Sequence, residues 1–147
     1  MSDYTQHLSD VATRTLEELC FMFPMPLLSD EQRDAPVDAA MSVRFVGPMT
    51  GRIVVRLCGG VLGELAANML GDADGDLGMQ RDALAEVTNV VCGNVLPLIG
   101  GSAAEFALAA PQPVVVLSHA TPAPTATVQF GLEGAGRVDV FLYLEAA

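Results

Sequence analysis

Between Arg81 and Gly101 the apolar positions recur with the period of a helix. At 100° per residue, Leu84, Ala85, Val87, Thr88, Val91, Cys92, Val95, Leu96, Leu98 and Ile99 cover roughly half of the wheel. Asp82, Glu86, Asn89 and Gly93 fall instead within about 60° of one another, on one stripe of i, i+3, i+4 neighbours. The pattern predicts a buried helix with one face reserved for something other than the core. Towards the N-terminus, Val11, Leu16, Leu19 and Phe23 predict a first helix capped by Ser9 and stopped by Pro24 and Pro26. The period then changes to two: Val37, Ala39, Met41, Val43 and Phe45 share one face and Asp38, Ser42 and Arg44 the other, as in a half-buried strand. A Gly-Pro turn at 47–51 leads into a second strand over 52–58, followed by a short helix ending at Gly71 and a loop over 72–80. After the long helix, 113–118 reads as a buried strand, 121–125 as a loop, and 125–130 with 137–144 as a final strand pair.

The chain echoes itself. "PMPLLS" at 24–29 returns as "PQPVVVLS" at 111–118, and "FVGPMTGRIVV" at 45–55 as "FGLEGAGRVDV" at 130–140, in the same order and each after a helix. The expected fold is α/β in the wide sense, or α+β: a single domain over residues 1–147 with a pseudo-symmetric repeat, halves about 9–71 and 80–147. Each copy holds a helix and about three strands, the sheet packs against helices, and "VLGELAANML" is an extra middle helix. Phe45 should then match Phe130, and Arg52 should match Arg137. Laying Glu18 on Glu86 sets Phe21 where Asn89 stands, so only the second copy is chemically equipped.

A chain of 147 residues with 51% hydrophobic content can bury a sizeable core. The net charge of −11, with arginine as its only strong base, leaves no basic patch for nucleic acid or an anionic membrane. Such acidity serves solubility, or steers the protein to a partner with a positive patch. Cys20, Cys58 and Cys92 are odd in number, far apart and set in apolar runs, so they are expected to be reduced core thiols. The first twenty residues lack a basic-then-apolar leader, and a cytoplasmic location is expected. Metal chemistry is poorly supported. Asp72, Asp74 and Asp76 have the first spacings of a calcium loop, but Leu77 and Ala83 stand where glycine and glutamate are needed. His7 and His119 have no ligand cluster around them, and Glu64 with Asn68 reads as a solvated helix face.

The stripe on the long helix is therefore the main candidate. A neutral Asn is no general base, and one Glu makes no carboxylate pair, so a free-standing active site is hard to build from it. An exposed Asn can hold a water through donor and acceptor together, while a Glu one turn away grips a cation on a partner. Gly93 lets a partner backbone come close, and Pro97 leaves the Gly93 carbonyl without a helical donor. From the residues alone this is a docking edge or an ordinary solvated face. The run "EVTNVVCGN", Glu86 to Asn94, resembles the signature helix of the CheC, CheX and FliY family of chemotaxis phosphatases, in which Glu-x-x-Asn is followed by a Gly-Asn pair. The likeness extends from about Val11 to Leu144 and is nearest to CheX-like members, which have a single site. It implies a phosphatase whose substrate is a phosphorylated CheY-type receiver domain. Asn89 would orient the water that attacks the aspartyl phosphate, Glu86 would pair with a receiver lysine, and Asp82, Gly93 and Asn94 would contribute to docking. It implies no cofactor of the chain's own, since Mg²⁺ would come with the receiver. A homodimer is also expected, through the family and through 137–144 as a sticky strand edge. The competing reading is a binding module of the same fold without catalysis.

Overall fold

The strand expected at the rim lies near the middle of the sheet. In the computed structural model, which describes residues 3–71, 76–114 and 123–145, β6 (Arg137–Leu144) is hydrogen-bonded to β2 (Gly51–Cys58) on one side and to β5 (Ala126–Gly131) on the other. No free edge remains on it, so the edge-pairing argument for a homodimer through 137–144 falls. β1 (Val37–Val46) flanks β2, and two short strands, β3 (Ala107–Leu108) and β4 (Gln112–Pro113), pair with the outer side of β1. The order is β3-β1-β2-β6-β5, with β4 also on β1, and every pairing is antiparallel.

The period-two pattern decides the two faces. Met41, Val43 and Phe45 of β1, Ile53, Val55 and Leu57 of β2, and Val138, Val140 and Leu142 of β6 point into one large core. Onto that face pack α1 (Asp3–Glu18), mainly over β5, and α4 (Leu77–Gly100), mainly over β1 and β2, with the two helices also in contact. Each long helix thus covers the hairpin from the other half of the chain. α3 (Val61–Leu70) packs against α4 and ends, as expected, at Gly71, whose φ of 73° is left-handed. α4 is long and apolar enough to span a membrane by composition alone, but eight of its residues are buried within the fold, the pattern of a core helix.

The echo does not carry through residue by residue. Phe45 faces Gly51 across its hairpin, one residue before Arg52, whereas Phe130 faces Val138, one residue after Arg137. Both phenylalanines are buried in the same core, but the arginines differ. Arg52 is half-buried with its guanidinium 4.7 Å from the centre of the Tyr143 ring, and Arg137 is buried in hydrogen bonds.

Helix boundaries also differ from expectation. α1 begins six residues before Ser9, because Leu8 extends the buried stripe of Val11, Ala12, Thr15 and Leu16 backwards. It ends at Glu18, well before Phe23: Phe21 takes a φ of 54°, which breaks the helix and leaves its ring 65% exposed. α4 starts at Leu77 rather than Arg81, because the Asp76 carboxylate caps it by accepting from the Met79 N–H at 2.8 Å. A one-turn helix, α2 (Asp30–Arg33), was not expected, although Ser29 and Gln32 form a capping box that the sequence displays. Of the strand expected over 113–118, only the exposed β4 is seen, and 115–122 lies outside the described residues.

Candidate functional site

The stripe survives folding intact. Asp82, Glu86, Asn89 and Gly93 are all exposed on α4, while Leu84, Val87, Thr88, Val91, Cys92, Val95 and Leu96 are buried beneath them. The one polar side chain on the buried arc is satisfied locally: Thr88 Oγ1 donates to the Leu84 carbonyl at 2.8 Å. Among the described residues, Glu86 takes part in no salt bridge and the Asn89 amide in no hydrogen bond with protein. A carboxylate and an amide one turn apart, both free, can grip a cation and orient a water on an incoming surface.

Gly93 belongs to that surface for a reason the backbone does not supply. A Cβ there would meet nothing within 4 Å, so no packing demands a glycine. Mid-helix glycine costs about 0.5–1 kcal/mol relative to alanine. The fold carries that cost and leaves a flat spot beside Asn89. Pro97 lies inside the helix, which runs on to Gly100, and its missing N–H leaves the Gly93 carbonyl without an intrahelical donor.

Asn94 does not join the other four. Its Nδ2 donates to the Val90 carbonyl at 2.9 Å, and the side chain lines a groove of about 620 Å³ between α1 and α4. Asp10, Arg14 and Glu18 line the α1 side of that groove, with Val90 and Leu98 on the α4 side. On the first copy, Phe21 lies beyond the end of α1, so α1 offers no Glu-x-x-Asn pair at the register expected. Asn68, expected to be merely solvated, donates to the Cys20 carbonyl at 3.0 Å and ties α3 to the turn after α1.

Among the described residues no group of three or more His, Cys, Asp or Glu is placed to hold a metal ion. His119, Asp72 and Asp74 lie outside them. All three cysteines are buried and unbridged, and burial pushes the Cys20 and Cys92 thiols up to about 12.

Sequence reasoning overlooked the other polar concentration in the molecule. On the sheet face turned away from α4, the fully buried Asp139 accepts from Arg56 Nε at 2.7 Å, Arg137 Nε at 2.9 Å and Gln129 Nε2 at 3.0 Å. Arg137 reaches on to the carbonyls of Gln32 at 2.7 Å and Arg33 at 2.6 Å, which fastens α2 to the sheet. The signal was "RVDV": two charges two residues apart share one face of a strand, and opposite signs there invite a pair.

The chain matches the family model described as chemotaxis phosphatase CheX over residues 39–144, a span that includes Glu86 to Asn94. A search of curated proteins gives no match. Among solved structures the chain is similar to the chemotaxis protein CheX of Vibrio vulnificus, with 19% identity and a TM-score of 0.76 over 98% of this chain and 97% of that one. It is also similar to CheX of Desulfovibrio desulfuricans, at 22% identity and TM-score 0.76 over 98% and 100% of the two chains. A third is a complex of CheX with CheY, BeF3 and magnesium from Borrelia burgdorferi, at 16% identity and TM-score 0.72 over 97% and 98%. At these identities the structural likeness speaks for the fold. The family rests on the sequence match, which spans most of the sheet and all of α4: this chain belongs to the chemotaxis phosphatase CheX family.

Proposed function

We propose that this chain hydrolyses the aspartyl phosphate of a phosphorylated CheY-type receiver domain, with Asn89 orienting the attacking water and Glu86 holding a cation of the receiver. The observation that carries this reading is the exposure of Glu86 and Asn89, together and without partners among the described residues, on the helix that the family match covers. The similar Borrelia protein, solved as CheX with CheY, BeF3 and magnesium, supports a receiver as the partner. On this reading the receiver supplies the phosphorylated aspartate and the Mg²⁺. This chain supplies a positioned water and a charge, which is why so few catalytic groups suffice. Asp82 adds negative charge beside Glu86, and Gly93 lets the receiver backbone approach.

The test is decay of phosphorylated receivers from the same organism, with and without the protein. Asn89→Ala should slow the accelerated decay by one to a few orders of magnitude with binding little changed, because a transition-state contact is lost. Glu86→Ala should weaken the complex as well as the rate, and its effect should shrink as salt is raised. Equal decay with wild type and Asn89→Ala would remove Asn89 from the chemistry. Binding without any acceleration by wild type would replace the phosphatase with a docking module.

A further inference from the structure

Beside Glu86 the surface opens into a concavity of about 270 Å³, where the C-terminal end of α3, the turn after α1 and the first turns of α4 meet. Its apolar lining is Leu19, Met69, Leu70, Met79 and the buried Ala83, and the exposed Asp82 and Glu86 complete it. Leu70 is 46% and Met79 42% exposed, a large share for apolar side chains. Two methionines make such a wall adaptable, since an unbranched thioether chain repacks around different shapes. Among the described residues no cation lines the concavity, and both ionisable residues that line it are acidic.

Apolar walls completed by two carboxylates select one kind of occupant. A purely apolar ligand would leave Asp82 and Glu86 to lose water without compensation, and a purely cationic one would leave the walls uncovered. Resting on the receiver reading above, we propose that this pocket takes an apolar anchor side chain of the receiver, with a basic residue beside it that sits on Glu86 and Asp82. Glu86 both lines the pocket and lies on the stripe with Asn89, so the anchor and the reacting end of the receiver are held by one continuous surface. Anchors of this kind, apolar, central and ringed by polar contacts, are where binding free energy concentrates in protein interfaces. The pocket thereby selects among receivers that share the same phosphorylation chemistry but differ in the side chain presented here.

The experiment measures binding of CheY-type receivers from the same organism, loaded with beryllofluoride and Mg²⁺, to wild type, Leu70→Gln and Met79→Gln. Both positions are exposed enough for the amide to be solvated in the free protein, and circular dichroism with thermal melting checks that the fold is kept. Each variant should raise Kd about tenfold, and the loss should persist in high salt, unlike that of Glu86→Gln. Unchanged Kd for both folded variants overturns the pocket, even if Asn89→Ala abolishes acceleration, and then the phosphatase reading stands alone. Weakened binding by both variants supports the pocket, even if wild type accelerates no hydrolysis, and then only the phosphatase reading falls. Wild type that binds no receiver overturns both.

Discussion

Two polar concentrations in this protein are treated in opposite ways. Around Asp139 a buried carboxylate is joined to the buried Arg137, the partly buried Arg56 and the amide of the more exposed Gln129, and Arg137 is joined in turn to α2 carbonyls. Around Asn89 a carboxylate and an amide stand exposed, with no salt bridge and no side-chain hydrogen bond to the described residues. Buried polar groups are costly unless partnered, so a cluster that serves the fold completes its bonds internally. Groups meant for another molecule must keep their bonding capacity free. The difference is a functional signal in itself, and charge alone does not give it, since the buried cluster is the more highly charged of the two.

The comparison is broken most severely at Asp139. Asp139→Ala leaves Arg137 and Arg56 without their common acceptor, and removing one partner of a buried charge cluster costs about 3–5 kcal/mol. Urea unfolding should show a loss of that order, with a normal slope if the native state stays compact. Asn89→Ala and Glu86→Ala touch nothing inside the protein and should stay within about 0.5 kcal/mol of wild type. If Asn89→Ala proved as destabilising as Asp139→Ala, the stripe would belong to the fold and the site assignment would fail.

Gly93→Ala sharpens the same contrast with an effect of opposite sign. The added methyl meets open space, so unfolding should show a gain of about 0.5–1 kcal/mol from helix propensity. Receiver binding should weaken, because the methyl stands where a partner backbone is expected to pass. A more stable protein that docks less well is the trade-off of a surface kept for a partner. Binding unchanged in the stabilised variant would show that nothing approaches Gly93 closely.

The parts legible in the sequence were those governed by a single period. β1, β2, β5 and β6 fall close to where alternation puts them, and the stripe of Asp82, Glu86, Asn89 and Gly93 emerges from helical spacing alone. Helix ends were less legible, because they depend on caps and on one unusual backbone conformation: Asp76 starts α4 early, and Phe21 stops α1 short at φ 54°. Pairing lay beyond the pattern altogether. Alternation says which side chains share a face but not which strand lies beside which, so "RVDV" hints that Arg137 and Asp139 pair, but the central place of β6, which buries them, had no local signature. The same limit applies to Asn94, whose place in the groove beside α1 follows from where α1 packs, although its back-bond to Val90 is local to the helix.

The smallest effect belongs to a third polar contact, intermediate between the two regions. Arg44 Nη1 donates to Glu145 Oε1 across the surface, and both side chains are about half exposed. The hydrogen bond from Arg44 and its positive charge hold the Glu145 carboxyl below its ordinary value. A carboxyl with a lowered folded-state pKa contributes stability that is present above the unfolded-state value and disappears as pH falls through the folded one. Acidification should therefore remove the pair's contribution over the lower carboxylate range and leave it untouched near neutrality. Because water screens both partners, that contribution is slight and should fade further with added salt. Glu145→Gln should lower the unfolding midpoint a little at pH 7 in low salt and match wild type at strongly acid pH. A large loss at pH 7, comparable with that of Asp139→Ala, would mean that a half-exposed ion pair can support this fold as a buried one does, and the contrast between the two regions would no longer separate structure from function.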